Sequence, residues 1–363
     1  MQNRPRIPAL DLLRGYFLVV IFTDHLFRFP NIFEFISGRG QLWVSAAEGF
    51  FLISGLLVGY IYWPKISQNF KAVFFKLWRR AGQLYLVSVF LTLFFTLWGT
   101  YLPPNQIKSG LWAGGNLANL LYKTATFQYV YGWADFLVFY TVFMLAAPLA
   151  LGIIKKFNVW TLLIISLGIW YLFRLVNYFS GWQLIFMVGL AAGCYLPALE
   201  KKLRRNIFIL SGITILTLGL SVYILATNNT ANAIWFDKTT VGPGRVVLAI
   251  IWFSTFYIFA RTQEEKINNL SWGVLTTLGQ NSLLTYSLES VLLFPINVIF
   301  PDPAGFAKNS LIIAGSVALI YFFIINLPIM VKLINEIKVL GRRRDSDRIE
   351  LSFDRQLQPN PDN

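Results

Sequence analysis

The first apolar stretch of the chain contains two side chains suited to chemistry inside a membrane, Arg14 and His25. A guanidinium binds anions by charge-assisted hydrogen bonds, and an imidazole transfers protons near neutral pH. At ~100° and ~1.5 Å per residue, a helix places the two within roughly 20° of one face and about 16 Å apart along its axis. We therefore expect both side chains to project into one lumen at different depths.

Other polar residues stand in or beside apolar stretches, where a charged group costs at least a few kcal/mol. Each has a plainer interpretation as well. Arginines near span ends can serve as membrane anchors or reach the interface, and the carboxylates can pair with arginines to fix helix packing. Candidate residues predicted toward the cytoplasm, besides Arg14, are Asp11, Arg79, Arg80 and Asn281. Candidates predicted toward the outer side, besides His25, are Asp24, Glu48, Asp135, Arg174, Gln183, Arg245 and Glu289.

The composition indicates that lipid is the solvent for the elements that position these residues. The chain is 56% hydrophobic and only 13% charged, whereas a soluble domain has about 25% charged residues. Its mean hydropathy is +0.57. The predicted fold is an all-α polytopic membrane protein of about ten transmembrane helices. The predicted spans are 9–28, 43–62, 79–99, 133–153, 159–176, 181–198, 206–226, 245–260, 273–295 and 309–331.

The distribution of positive charge predicts the orientation. With the N-terminus in the cytoplasm, most of the 31 lysines and arginines fall in cytoplasmic segments, as the positive-inside rule requires. Both termini are therefore expected to be cytoplasmic, in a multi-pass protein of the cell membrane. Residues 1–340 are expected to form one transmembrane domain, and residues 341–363 a disordered, polar cytoplasmic tail.

Two spans contain glycines four residues apart, Gly55 with Gly59 and Gly189 with Gly193. Small residues at this spacing let helices approach closely in lipid, so we expect tight helix packing. Both spans are predicted to run from outside to inside, so they do not supply the inverted repeat typical of transporters.

Several classes of function are disfavoured. One cysteine and one histidine allow no cysteine metal cluster and no multi-histidine site, so no bound metal or other cofactor is expected. The net charge of +14 is compatible with nucleic-acid binding, but the basic residues lie between apolar spans rather than on a polar domain. A lipid bilayer, and no nucleic acid, is the expected partner.

Four stretches, in order along the chain, resemble the acyltransferase family 3 proteins and their glucan succinyltransferase relatives, the OpgC-like proteins. Arg14, ten intervening residues and His25 are similar to the family's first motif. The later stretches are Phe50-Phe-Leu-Ile-Ser-Gly55, Trp182-Gln-Leu-Ile-Phe-Met-Val-Gly189 and Leu278-Gly-Gln-Asn-Ser-Leu-Leu-Thr-Tyr286. One departure is Glu289, which stands where many relatives have a second histidine.

The resemblance implies an O-acyltransferase acting across the bilayer, with the acyl group passing from a cytoplasmic acyl-CoA to an extracytoplasmic glycan. It implies that Arg14 binds the anionic donor, and that His25 is the general base or carries the acyl group. A carboxylate, Asp24 or Glu48, would orient the imidazole and stabilise its charged form. A secondary transporter or an exporter of an anionic or sugar-like solute is the alternative, because buried charges suit it equally.

Overall fold

The computed structural model describes residues 4–99, 112, 114–227, 234–300 and 305–329. Within these ranges the regular structure is helical, apart from a short 3-10 turn at Gly38–Gly40. The helices, in chain order, are α1 Pro8–Leu26, α2 Glu34–Ser37, α3 Ala46–Ile66, α4 Phe70–Gly99, α5 Leu117–Ala125, α6 Asp135–Lys156, α7 Val159–Phe173, α8 Tyr178–Cys194, α9 Leu196–Arg205, α10 Ile207–Ala226, α11 Pro243–Thr262, α12 Glu264–Leu270, α13 Val274–Gln280, α14 Ser282–Ile299 and α15 Phe306–Ile329.

The helices confirm a polytopic membrane protein. In the described ranges, seven are long and apolar enough to cross a bilayer: α3, α4, α6, α10, α11, α14 and α15. An eighth span results if α8 and α9, which meet at 96°, are counted as one. Each predicted span overlaps at least one helix, but the spans 181–198 and 273–295 each extend over two. In addition, α1 carries three charged residues and α7 has only 15 residues. The count of ten therefore stays a prediction.

The outermost helices are those that contact lipid. Each of these helices contains an 18-residue apolar stretch, of which only 11% in α10 and 22% in α15 is buried inside the protein. A helix that is apolar all round and exposed in this way is stable only in contact with lipid tails. These helices therefore lie at the periphery, and α1, α3 and α8 form the centre.

The glycine pairs make the tight packing that their spacing predicts, and the two helices that they bring together are α3 and α8. A Cβ atom added at Gly55 or Gly59 would overlap the backbone carbonyl of Phe186 or Leu190, and the glycines of α8 face the backbone of α3 in the same way. Backbone atoms cannot move aside as a side chain can, so this crossing requires glycine.

A second close approach fixes α1 against the C-terminal half of the chain. Gly15 of α1 lies against the Leu275 carbonyl of α13, and Gly279 of α13 lies against the Asp11 carbonyl. The predicted span 273–295 is divided at Asn281, where α13 ends and α14 begins. This division lets α13 pack on α1 while α14 turns its own face toward the same helix.

The predicted orientation of both termini stays a prediction. The predicted disordered tail, residues 341–363, lies outside the described residues.

Candidate functional site

Arg14 is held by a residue from the far end of the chain. Its Nη2 atom donates a 2.6 Å hydrogen bond to Oγ of Ser282, 268 residues later, at the start of α14. The guanidinium also lies 5.7 Å from the ring centroid of Phe50. Its Nε atom is buried, with no hydrogen-bond partner among the described residues. Arg14 therefore links α1 to α14.

His25 is half-buried near the other end of α1. Its Nδ1 atom lies 2.7 Å from the carbonyl oxygen of Ile21, one turn earlier. Because a carbonyl can only accept, this contact assigns the proton of the neutral ring to Nδ1 and leaves the lone pair on Nε2. The histidine therefore presents Nε2 as its basic nitrogen.

A small cavity of about 20 Å³ brings His25 and Glu289 together. Glu289 is 3% exposed, and neither carboxylate oxygen has a hydrogen-bond partner among the described residues. Burying a carboxylate without a partner is expensive, and such groups are usually paired. α14 thus places a buried acidic group in the wall of the cavity that the histidine also lines.

Three residues around Arg14 and His25 lie on one face of α14. Ser282, Tyr286 and Glu289 recur at spacings of four and three residues, which places them on one side of a helix. Sequence reasoning assigned no role to Ser282 or Tyr286, although both stand in the stretch that resembles the family. The i, i+4, i+7 spacing of the three polar residues is the sequence signal that could have identified this shared face.

The two carboxylates predicted to orient His25 are engaged elsewhere. Asp24 accepts a hydrogen bond from Ser37, in the segment that follows α1. Glu48 forms a 2.7 Å ion pair with Arg245, and its carboxylate accepts from Ser45 in a capping box that begins α3. The orienting role of Asp24 or Glu48 stays a prediction, and these contacts do not support it.

The Arg245–Glu48 pair is enclosed by the loop that precedes α11. Arg245 donates from Nε to the Phe236 carbonyl at 2.8 Å and from Nη2 to the Leu42 carbonyl at 3.2 Å. In this loop, partial burial acts to raise the pKa of Asp237, but hydrogen bonds from Thr240 and the backbone outweigh it and lower the pKa. The network ties the segment before α3 to α11.

On the side predicted to be cytoplasmic, Arg80 is the arginine best placed to act with Arg14. It is half-buried, lies within hydrogen-bond distance of Gln83 at 3.3 Å, and lines a cavity of about 10 Å³ that Ser282 also lines. Arg79 is exposed. Asp11 forms its ion pair, at 2.5 Å, with Arg6 rather than with Arg14.

The remaining predicted residues line neither of the two small cavities. Arg174 stacks on the ring of Trp170, 4.8 Å from its centroid. Gln183 joins α8 to α7 through two 2.7 Å hydrogen bonds with Ser166. Asp135 begins α6. Asn281 is exposed and donates to the Thr277 carbonyl.

A larger cavity, of about 810 Å³, lies between α1, α3, α10 and α11. Its walls are mostly apolar, and none of the predicted site residues lines it. No group of three or more histidine, cysteine, aspartate or glutamate side chains suited to a metal was found in the ranges that the structure describes.

Comparison with known proteins places the chain in a family. The search of curated proteins and the search of solved structures each gave no match. A family model described as OpgC protein matches residues 6–328, which include every residue of the arrangement around Arg14 and His25. Because the match extends over most of the sequence, the chain belongs to the OpgC protein family.

Proposed function

We propose that this protein is a membrane-embedded O-acyltransferase of the cell membrane that moves an acetyl or succinyl group from a cytoplasmic acyl-CoA to a hydroxyl of an extracytoplasmic carbohydrate. Family membership suggests a membrane acyltransferase acting on glucans. The observation that carries the proposal is the cavity lined by both His25 and the buried carboxylate of Glu289.

His25 supplies the base. The hydroxyl oxygen of the acceptor attacks the thioester carbonyl carbon, and Nε2 takes the hydroxyl proton. The new C–O bond forms, the C–S bond breaks, and the imidazolium returns the proton to the departing thiolate of coenzyme A. Atoms and charges balance without any further reactant. Such general acid–base help is worth about 10²–10⁴ in rate.

Glu289 stabilises the charged form of His25. When the ring accepts the proton it becomes a cation, and an acidic group lining the same low-dielectric cavity lowers the free energy of that cation. This is the role that the resemblance implied for Asp24 or Glu48. Position 289, where many of the proteins that this chain resembles have a histidine, would then hold the carboxylate that acts with His25.

Arg14 binds the donor. Its guanidinium is directed toward Ser282 and keeps the Nε donor unused among the described residues. Arg80, which lines the cavity beside Ser282, adds a second positive charge. Two guanidinium groups match the phosphates or the carboxylate of an acyl-CoA through charge-assisted hydrogen bonds.

Two separate substitutions of His25 test the proposal. His25→Asn keeps a side-chain donor that can reach the Ile21 carbonyl but lacks the Nε2 base, and His25→Ala removes both functions. We expect both variants to insert in the membrane and to lose acyl groups from the envelope carbohydrate, measured by mass spectrometry. Gly212→Ala, on the lipid-facing helix α10, is the control that should remain active.

Unchanged acylation in both His25 variants would overturn the proposal. Uptake of a solute by reconstituted vesicles in the absence of any acyl donor would instead favour the transporter alternative.

A further inference from the structure

Tyr286 lies between the two halves of the candidate site. It lines the cavity that contains His25 and Glu289, and it also lines the cavity that contains Arg80 and Ser282. On α14, Tyr286 stands about one turn after Ser282 and about one turn before Glu289. Its ring is therefore a wall shared by the histidine cavity and the arginine cavity.

The ring of Tyr286 is fixed in this position. Its hydroxyl donates a 2.6 Å hydrogen bond to the backbone carbonyl of Trp133. The ring centroid lies 5.8 Å from that of Phe136, and the residue is 8% exposed. An aromatic side chain that is buried, packed and hydrogen-bonded at its tip has one preferred orientation.

Neither cavity can hold an acyl group while the ring stays in place. Their volumes are about 20 and 10 Å³, and about 10–15 Å³ is what a single water molecule needs. Transfer from an arginine-bound donor to an acceptor at His25 therefore requires the two cavities to become continuous, and Tyr286 is the side chain that stands between them.

We propose that Tyr286 is the barrier between the donor compartment at Arg14 and Arg80 and the acceptor compartment at His25, and that its ring limits the size of the acyl group transferred. The proposal rests on the proposed acyl transfer and adds the side chain that sets its size limit: with the ring of Tyr286 in place, long-chain acyl groups are excluded.

The barrier can be tested without acyl transfer. Cys194 is the only cysteine of the chain, so in a Cys194→Ala background a new cysteine is a unique label site. Leu283→Cys reports on the arginine cavity and Ile21→Cys on the histidine cavity. Each is treated with a small, membrane-impermeant thiol reagent from one side at a time, in spheroplasts and in inside-out vesicles.

With Tyr286 present, the two cysteines should react from opposite sides of the membrane. Adding Tyr286→Ala should make each cysteine reactive from both sides, with at least a tenfold gain from the previously closed side. Phe143→Ala, which truncates a buried aromatic ring lining neither cavity, should leave the sidedness unchanged. If Tyr286→Ala does not yield folded protein by gel filtration in detergent, Tyr286→Leu replaces it.

The second measurement uses purified protein in vesicles with acetyl-, succinyl- and octanoyl-CoA and envelope carbohydrate as acceptor. The ratio of octanoyl to acetyl transfer should rise at least tenfold in Tyr286→Ala and stay near the wild-type ratio in Tyr286→Phe, which keeps the ring.

Labelling from both sides before any substitution at Tyr286, or unchanged sidedness in the folded Tyr286 variant, would overturn the barrier. If sidedness changes as expected but no acyl-CoA supports transfer, the barrier stands and the proposed reaction fails. An unchanged chain-length ratio, with altered sidedness, would overturn the size limit.

Discussion

The buried ion pair between Glu48 and Arg245 allows a quantitative prediction about stability. The two side chains are 0% and 4% exposed and their closest atoms are 2.7 Å apart. Removing one partner of such a pair leaves an uncompensated buried charge and costs about 3–5 kcal/mol. We expect Glu48→Gln to lower the free energy of unfolding by an amount in this range, since glutamine can still accept a hydrogen bond from Ser45 but carries no charge to pair with Arg245.

Arg245→Met should cost a similar amount, because it leaves the Glu48 carboxylate buried with only the Ser45 donors. The double variant leaves no buried charge, and an apolar side chain often replaces a buried ionic one at little cost. The double variant should therefore lose about 2–3 kcal/mol less than the sum of the two single losses.

The assay is equilibrium unfolding in mixed detergent micelles, followed by tryptophan fluorescence, for the wild type and the three variants. Losses that add within about 0.5 kcal/mol would refute the reasoning, because independent sites behave in that way. Acylation by the double variant then separates two roles of Glu48. A folded, active double variant assigns Glu48 to packing, and a folded, inactive one supports the catalytic role predicted from the sequence.

Two further predictions concern helix packing and donor binding. Gly59→Ala should lower the unfolding temperature in detergent because its Cβ meets the Leu190 carbonyl of α8. The control Gly212→Ala, with open space around it, should lower the unfolding temperature little or not at all. Equal effects of the two substitutions would contradict the packing argument. Ser282→Ala removes the 2.6 Å hydrogen bond to Arg14, and bonds to charged groups are worth about 1.5–3 kcal/mol. The KM for acyl-CoA should therefore rise at least about tenfold with kcat less affected, and an unchanged KM would count against a donor site there.

The regular features of this chain could be predicted from the sequence because their causes are local. Long apolar stretches must form helices in lipid, since backbone groups have no other partners there. Each predicted span accordingly overlaps at least one helix. The glycine spacing predicted close packing at α3 and at α8, since four residues are about one helical turn. It did not predict that these two helices pack on each other. The relation between Arg14 and His25 follows from helical periodicity on a single element.

The partners of the polar side chains could not be predicted in the same way. The predicted depth in the membrane assigned several carboxylates and arginines to the outer side. Depth alone does not specify which helices face each other. Asp24 is adjacent to His25 in the chain, yet successive residues of a helix point about 100° apart, and Asp24 bonds to Ser37. Adjacency in sequence therefore gave a weak basis for an orienting role.

The sequence by itself determined that this is a many-helix membrane protein with an arginine and a histidine on one face of its first helix. Only the tertiary structure decided that Ser282 meets Arg14, that Glu289 shares a cavity with His25, and that Glu48 pairs with Arg245. The reason is physical: these pairs join helices separated by as many as 268 residues. Their contacts depend on how glycine-lined helix faces pack, which no local pattern specifies.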